Sequence, residues 1–220
     1  MIYISYIAIA LISYLLGSLN FGVILSNKLK KDDVRNHGSG NAGTTNMLRS
    51  YGKGYAVLTI IGDMLKVVVA IVIAFKIYEY TPSVLNETYS SVNIDQNMLL
   101  KSFAGFFCVL GHIFPVFFKF KGGKGVATSG GMVFVVDWRI ALILLAVFIV
   151  VVAITKYVSL GSIIMALLYP VMIYIFHKSL ILTAIALVFT IIVVVAHRGN
   201  IKKLINHTES KITDKKKNNS

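Results

Sequence analysis

The sequence predicts an all-α integral membrane protein, a bundle of about seven transmembrane helices with the N-terminus outside and the C-terminus in the cytoplasm. Its 220 residues are 56% hydrophobic, and the mean hydropathy is +0.77, well above that of an ordinary soluble domain. Several apolar runs are long enough to cross a bilayer. Lys and Arg are concentrated in short segments beside these runs, as is typical of cytoplasmic loops. The same segments explain the net charge of +13, so nucleic acid is not predicted as a partner.

The first half of the chain alternates apolar spans with loops of opposite charge. The loop 27–53 is rich in Lys and Arg and is predicted to be cytoplasmic, which places the N-terminus outside. Segment 79–97 has acidic residues but no Lys or Arg, as expected of an external loop. The predicted spans of this half are 2–26, 54–78 and 98–118.

Charged breaks divide the second half into four apolar segments, 125–136, 140–155, 158–176 and 179–196. The tail from Arg198 onward is basic and predicted to be cytoplasmic, so an even number of crossings must separate it from the basic loop before the first of these segments. Four crossings satisfy this rule and give seven in total. The alternative of five crossings joins 125–155 into one span and 158–196 into another. Residues 1–200 are predicted to form one membrane-embedded domain, and 201–220 a basic cytoplasmic tail with a disordered end.

Four clusters of glycine, small polar and basic residues lie on the cytoplasmic side of this topology, at 37–49, 111–128, 157–162 and 197–201. In the second cluster, glycines free backbone N–H groups to turn toward one point, and lysines add positive charge there. A helix starting after Gly125 would direct its positive end to the same place. The clusters together predict a site for two phosphate groups. The alternative is a set of solvated loops whose lysines only fix the orientation of the spans.

Three further side chains and one pair bear on the chemistry. Asp63 and Lys66 are one helical turn apart inside the second span and are predicted to form an ion pair. His112 and His197 adjoin the clusters and are candidates for proton acceptors or phosphate ligands, or for histidines held by backbone at a span end. His37 is interpreted as a cap of its own loop. No histidine is followed five residues later by aspartate, and no paired-aspartate motif for magnesium is present, so neither a metal nor another cofactor is predicted.

The clusters resemble, in order, the three motifs of the bacterial acyl-phosphate:glycerol-3-phosphate acyltransferases, the PlsY type. The segment from Gly38 to Asn46, with Arg49, resembles the first motif. The segment from Gly111 to Gly125 resembles the second, and His197-Arg198-Gly199-Asn200-Ile201 with Thr208-Glu209 resembles the third. Three positions depart from the family pattern, Asn20 in place of proline, Thr44 in place of alanine and Gly199 in place of glutamate. A diverged paralogue with a changed acceptor is therefore left open.

The resemblance implies an enzyme that transfers an acyl chain from acyl phosphate to the 1-hydroxyl of glycerol 3-phosphate, giving lysophosphatidic acid and phosphate. The residues that it implies are catalytic His197, Asn200, Lys124 and Arg49, and substrate-binding Ser39, Gly40, Asn41, Asn46, His112, Gly122, Gly123, Gly125, Ser159 and Ser162. By the same resemblance, residues 122–125 bind the phosphate of acyl phosphate. The residues assigned to glycerol 3-phosphate and the reacting centre are Ser39, Arg49, Ser162, His197 and Asn200. The resemblance leaves two acceptors for the proton of the glycerol 3-phosphate hydroxyl, a phosphate oxygen of the substrate and His197.

The resemblance also implies the surroundings of the enzyme. Membrane lipids and the soluble enzyme that forms acyl phosphate are implied partners. The implied location is the bacterial inner membrane, with the active site facing the cytoplasm. The competing hypothesis is a non-catalytic or transport membrane protein that binds phosphate-bearing lipids or metabolites. A transporter site is expected near the bilayer midplane, whereas the polar clusters share one face.

Overall fold

The structure, a computed structural model, describes residues 2–80 and 95–214. All the regular elements of these residues are helices. The α-helices are α1 Ile2–Gly17, α2 Phe21–Lys30, α3 Thr44–Tyr51, α4 Lys53–Glu79, α5 Gln96–Ile113, α6 Val126–Val136, α7 Trp138–Thr155, α8 Val158–His177, α9 Leu180–Ala196 and α10 Arg198–Ile205. Most of the predicted external loop 79–97 and the end of the predicted tail, from residue 215, lie outside the described residues.

Each of the seven predicted spans contains a helix, so the all-helical membrane fold is confirmed. Within the described residues, five helical segments are long and apolar enough to cross a membrane, and the bent pair α9–α10 is a sixth candidate. The seventh segment is α6, which has 11 residues. In the five-crossing alternative, 125–155 is one span and 158–196 is another. The structure has two separate helices in each of these ranges, because α6 ends before Asp137 and α8 ends before Lys178. The number of crossings, the orientation of the termini and the domain bounds 1–200 and 201–220 stay predictions.

The first predicted span, 2–26, is not one continuous helix. α1 ends at Gly17, and α2 begins after Asn20, whose side-chain oxygen accepts a hydrogen bond from the Val23 amide at 3.4 Å. Asn is a preferred N-cap residue because its side chain satisfies an amide that the first helical turn leaves unpaired. Two carbonyl groups in this break, those of Gly17 and Leu19, accept hydrogen bonds from Lys66 of α4.

The third predicted span, 98–118, ends earlier as an α-helix than the sequence indicated. α5 stops at Ile113, and a 3₁₀ turn covers Val116–Phe118. Pro115 disfavours helical geometry at the residue before it and has no amide hydrogen to donate. The chain therefore leaves the helix just after His112.

The chain consists of two compact units, residues 1–138 and 139–220. In the first unit α4 packs against α1, α5 and α6, and α1 packs along α5. Two glycines permit the close crossing of α1 and α5. A Cβ at Gly17 would collide with the backbone of Cys108, and a Cβ at Gly111 would collide with the backbone of Tyr14. Small residues at such crossings are typical of membrane helix packing.

In the second unit α8 packs against α9. The Tyr169 and Phe189 rings meet edge to face with centroids 5.7 Å apart. The Thr190 hydroxyl donates to the Ala166 carbonyl at 2.7 Å, an interhelical hydrogen bond of the kind that joins membrane helices. Apolar side chains are exposed along the outer faces of the helices in both units, as on α4 at Leu58 and Leu65. This pattern fits helices that face lipid.

Candidate active site

Asn46 is the centre of the loop that resembles the first motif. Its side chain is buried, and its Nδ2 donates to the carbonyls of Val34, His37 and Asn41 at 2.9, 3.0 and 2.9 Å. Its Oδ1 accepts from the Ser39 amide at 3.0 Å. One side chain thus replaces the backbone pairing that a helix or strand would supply. These contacts support a role for Asn46 in shaping the loop that presents its neighbours.

The other first-motif residues surround this amide. Gly38 and Gly40 have φ values of +54° and +70°, which favour glycine. A Cβ at Gly38 would also collide with the Asn46 amide oxygen. Ser39 is exposed between them, and the Asn41 side chain accepts from the Gly43 amide at 2.9 Å. The loop therefore holds a serine hydroxyl in solvent on a backbone that is itself fixed.

Asp32 links the start of this loop to α3. Its Oδ2 accepts a hydrogen bond from the Tyr51 hydroxyl at 2.7 Å and contacts His37 Nε2. The Tyr51 hydrogen bond lowers the pKa of Asp32. Burial and Asp32 together raise the pKa of Tyr51 to about 12. Arg49, a predicted catalytic residue, is half-buried on α3 two residues before Tyr51.

Arg35 joins the first-motif loop to the second. Its Nη1 donates to the carbonyls of Phe118 and Lys121, both at 3.0 Å. Asp33 accepts from Nε and Nη2 of the same guanidinium, with a shortest distance of 2.6 Å. A planar guanidinium held by a carboxylate on one edge can direct its other edge to the backbone. The structure thereby brings the loops of the first two predicted motifs together.

The glycine-lysine loop, residues 122–125, is folded against His112. The Gly123 amide donates to the His112 carbonyl at 3.1 Å. A Cβ at Gly122 would collide with that carbonyl, and a Cβ at Gly123 would collide with His112 Nε2. These two glycines are therefore needed because the loop lies directly on the histidine.

The end of the glycine-lysine loop forms the start of α6. Gly125 has φ of +82° and is the N-cap of α6, whose first-turn amides have no intrahelical partner. Lys124 precedes it and is half-buried. Free amides, a positive helix end and an ammonium group are the components of a phosphate site.

A buried polar cluster lies behind His112. Lys66 Nζ donates to Asp63 Oδ1 at 2.9 Å, which confirms the predicted ion pair. The same Nζ lies 2.8 Å from His112 Nδ1. Among residues 2–80 and 95–214, no group of three or more His, Cys, Asp or Glu side chains is placed to hold a metal ion.

The second unit holds the remaining predicted residues. Glu209 Oε1 accepts from the Ser159 hydroxyl and from Asn200 Nδ2, each at 2.7 Å. The carboxylate thus joins the start of α8 to α10. The Asn200 amide is oriented by an ionised acceptor, which makes a stronger hydrogen bond than a neutral one.

His197 lies at the 60° bend between α9 and α10 and is buried. Its Nδ1 is 2.8 Å from the Val193 carbonyl. A carbonyl oxygen only accepts, so Nδ1 carries a proton and Nε2 is the acceptor atom of the neutral ring. On α8 the Ser162 hydroxyl donates to the Val158 carbonyl at 2.9 Å and retains its acceptor capacity.

Three residues that organise these sites were not among the predicted site residues. Arg35 enters the sequence analysis only as one of the basic residues of loop 27–53, although an aspartate two positions before it, Asp33, is a signal for a guanidinium held by a carboxylate. Lys66 was paired with Asp63 alone, although an ammonium group has three hydrogens to place. Glu209 belonged to the third motif, but nothing local indicated that it would contact Ser159.

Comparison with known proteins gives a consistent result. The model of the family described as glycerol-3-phosphate acyltransferase matches residues 7–207. A glycerol-3-phosphate acyltransferase of Clostridioides difficile (strain 630) is 44% identical over 214 residues, covering 96% of this chain and 98% of the relative. That of Bacillus subtilis (strain 168) is 38% identical over 202 residues, covering 92% and 95%.

Two solved structures of PlsY (YgiH), an integral membrane glycerol 3-phosphate acyltransferase, are also similar. The glycerol 3-phosphate form is 37% identical with a TM-score of 0.79, and the match covers 94% of this chain and 95% of that one. The lysophosphatidic acid form is 36% identical with a TM-score of 0.77 and the same coverage. Given the matched length, the shared fold and the ordered motifs, the chain belongs to the glycerol-3-phosphate acyltransferase family.

Proposed function

We propose that this glycerol-3-phosphate acyltransferase takes its acyl group from an acyl phosphate and transfers it to the 1-hydroxyl of glycerol 3-phosphate. The hydroxyl oxygen forms a bond to the acyl carbonyl carbon, the bond from that carbon to the phosphate oxygen breaks, and inorganic phosphate leaves. The products are lysophosphatidic acid and phosphate. The related PlsY structures are described as glycerol 3-phosphate and lysophosphatidic acid forms, which supports the acceptor and the product.

The observation that carries the proposal is the glycine-lysine loop 122–125. Gly122 and Gly123 lie against His112, the lysine of the loop is next to the N-terminus of α6, and Arg35 holds the segment before it. We assign this loop to the phosphate of the acyl phosphate. Phosphate is a good leaving group, so the protein needs no nucleophile of its own and contributes positioning and charge stabilisation.

The other predicted residues are assigned to the acceptor. By the resemblance of their motifs to those of the family, we assign Ser39, Arg49, Ser162, His197 and Asn200 to binding glycerol 3-phosphate and orienting its hydroxyl. A phosphate oxygen of the substrate takes the hydroxyl proton, and the Nε2 acceptor of His197 directs that hydroxyl. Gly40, Asn41, Asn46, His112 and Ser159 support the binding loops.

The same proposal includes where the enzyme works. Its location is the bacterial inner membrane, where the acyl chain of both donor and product lies among lipids. The polar loops face the cytoplasm, which contains glycerol 3-phosphate and the soluble enzyme that supplies acyl phosphate. Family membership favours this enzyme over the non-catalytic or transport alternative.

The test measures lysophosphatidic acid formed by the purified protein from labelled glycerol 3-phosphate, with palmitoyl phosphate or palmitoyl-CoA as donor. We expect product from palmitoyl phosphate only. Lys124→Ala should lower kcat/KM about 10- to 100-fold, since a hydrogen bond to a charged group contributes about 1.5–3 kcal/mol. The matched control is Lys28→Ala, which removes the same charge from an exposed position on α2 and should leave kcat/KM unchanged.

Two outcomes would contradict the proposal. Turnover with palmitoyl-CoA at the rate seen with palmitoyl phosphate would show that the donor is wrong. An unaltered kcat/KM in Lys124→Ala would show that the loop does not hold the donor phosphate.

A further inference from the structure

Lys66 makes more contacts than an ion pair requires. The residue lies in the middle of α4, with 2% of its side chain exposed. Besides Asp63 and His112, its Nζ donates to the carbonyls of Gly17 and Leu19 at 2.9 and 3.0 Å. An ammonium group has three hydrogens, and here it has four acceptors within 3.0 Å. An uncompensated charge inside a membrane is costly, and the partners of such a residue are a guide to its function.

Two of these acceptors belong to the break between α1 and α2. α1 ends at Gly17 and α2 begins at Phe21, so carbonyls in the break lack the amide partners that a continuous helix would give. Inside a membrane such carbonyls must be satisfied by the protein. Lys66 does this at Gly17 and Leu19 and thereby fixes the position of the break.

The third acceptor, Asp63, balances the charge of the ammonium and is buried with it. Its Oδ1 also accepts from the Phe21 amide at 3.5 Å, at the start of α2. The pair therefore binds both sides of the helix break.

The fourth acceptor connects this cluster to the glycine-lysine loop. Because Nδ1 of His112 accepts from the ammonium, the neutral ring carries its proton on Nε2, and the ring orientation is fixed from the α4 side. The opposite side of the ring is the surface on which Gly123 lies. The His112 carbonyl accepts the Gly123 amide. A rotation of the ring would thus move the loop that precedes Lys124.

We propose that Lys66 is a positioning residue for acyl transfer, which sets the place of residues 122–125 through the ring of His112. This inference rests on the proposed function in one respect, that the loop holds a substrate phosphate. The four acceptors of Lys66 lie outside the loop itself. Its effect passes through His112, whereas Asp63 keeps the ammonium neutralised.

The main variant is Lys66→Met combined with Asp63→Asn. The double substitution removes the ammonium together with the carboxylate that it neutralises. Removing the ammonium alone would leave a buried, unpaired carboxylate, which is strongly destabilising. Lys66→Arg keeps the charge but changes the donor geometry. The matched control is Lys76→Met, on the same helix, where the side chain is 68% exposed and its ammonium pairs with Glu79. Exposed ion pairs of this kind contribute little to the stability of the folded protein.

Two readouts separate positioning from a purely structural role. The first is steady-state kinetics with each substrate varied in turn. We expect the double variant to raise KM for palmitoyl phosphate and to lower kcat/KM for it by up to about a hundredfold, the loss that a misplacement of about 1 Å can cause, with a smaller change in KM for glycerol 3-phosphate. The second is amide hydrogen exchange of the peptide that covers residues 114–125, which should become faster. Lys76→Met should change neither.

The inference is overturned if the double variant melts at a lower temperature but keeps the wild-type KM values and the wild-type exchange of residues 114–125. Lys66 would then only stabilise the bundle. Rescue by Lys66→Arg of the melting temperature but not of KM would support the geometric role. If the wild-type protein forms no lysophosphatidic acid, the proposed function fails, but hydrogen exchange still decides whether Lys66 positions the loop.

Discussion

At the scale of single residues, Asn46 makes four hydrogen bonds with one side-chain amide. Three carbonyls share its two N–H groups, and one backbone amide uses its oxygen. The geometry requires a donor on one side and an acceptor on the other, which only an amide side chain of this length provides. A carboxylate at the same position would place negative charge against three carbonyl oxygens.

We therefore expect Asn46→Asp to be strongly destabilising, and more so than its conservative appearance suggests. The free energy of unfolding should fall by about 2–4 kcal/mol, since each buried group left unpaired costs about 1–3 kcal/mol. Thermal unfolding in detergent measures this, and acyltransferase activity should fall with it. Asn36→Asp is the control because Asn36 is exposed in the same loop. Equal melting temperatures for the two variants would contradict the role given to Asn46.

At the scale of elements, the guanidinium of Arg35 joins the first two motif loops by hydrogen bonds, and Phe118 of the second loop also packs against the buried apolar cluster around Val34 of the first. Asp33 fixes the guanidinium in the first loop, and the carbonyls of Phe118 and Lys121 receive it in the second. Such a connection depends on the ionisation of Asp33, because a neutral carboxyl group holds the guanidinium less strongly.

The connection through Asp33 should weaken as pH falls. Hydrogen bonds from Arg35, its charge and the nearby His37 lower the pKa of Asp33, although burial opposes them. A carboxylate whose pKa is lower in the folded protein stabilises it above the unfolded pKa, and the contribution is lost as pH falls through the folded value. We expect the difference in melting temperature between wild type and Asp33→Asn to be constant above about pH 5 and to shrink as pH falls below the ordinary aspartate pKa of about 4 and through the lowered folded value. The exposed Asp214→Asn should show no difference at any pH, and a difference for Asp33→Asn that does not shrink as the protein is acidified until Asp33 is protonated would contradict the assignment.

The positions of the helices could be predicted from the sequence because each is an apolar run bounded by charge. The break after Gly17 could not, although Ser18 and Asn20 interrupt the apolar surface there. A continuous helix through these residues is locally acceptable, and the break is stabilised by Lys66, which is 49 residues from Gly17 in sequence. Local patterns do not report contacts of this range.

In the candidate site too, the sequence predicts a contact between near neighbours in the chain but not one between distant residues. The ion pair of Asp63 and Lys66 followed from their spacing on one helix, and the structure confirms it. The contact of Lys66 with His112 joins residues 46 positions apart and depends on how α4 packs against α5. The roles of the predicted catalytic residues stay predictions, since they rest on the resemblance and on the proposed function.

At the scale of the whole molecule, the distribution of Lys and Arg predicts seven crossings, whereas residues 2–80 and 95–214 contain five or six segments long and apolar enough to cross a membrane. Seven crossings require that α6, with only 11 residues, also crosses the membrane. In the seven-span topology Lys156 is cytoplasmic. In the five-span alternative, where 125–155 is one span, it is external.

Cysteine labelling in intact cells tests this topology. In a Cys108→Ala background, which removes the native buried thiol, single cysteines replace Tyr80, Lys28 and Lys156, all of them exposed positions. We expect a membrane-impermeant maleimide to label Tyr80→Cys from outside, and Lys28→Cys only after permeabilisation, because basic loops are retained on the cytoplasmic side. Lys156→Cys should behave as Lys28→Cys does. Labelling of Lys156→Cys in intact cells would contradict seven crossings, and labelling of Lys28→Cys would invert the orientation on which the cytoplasmic site depends.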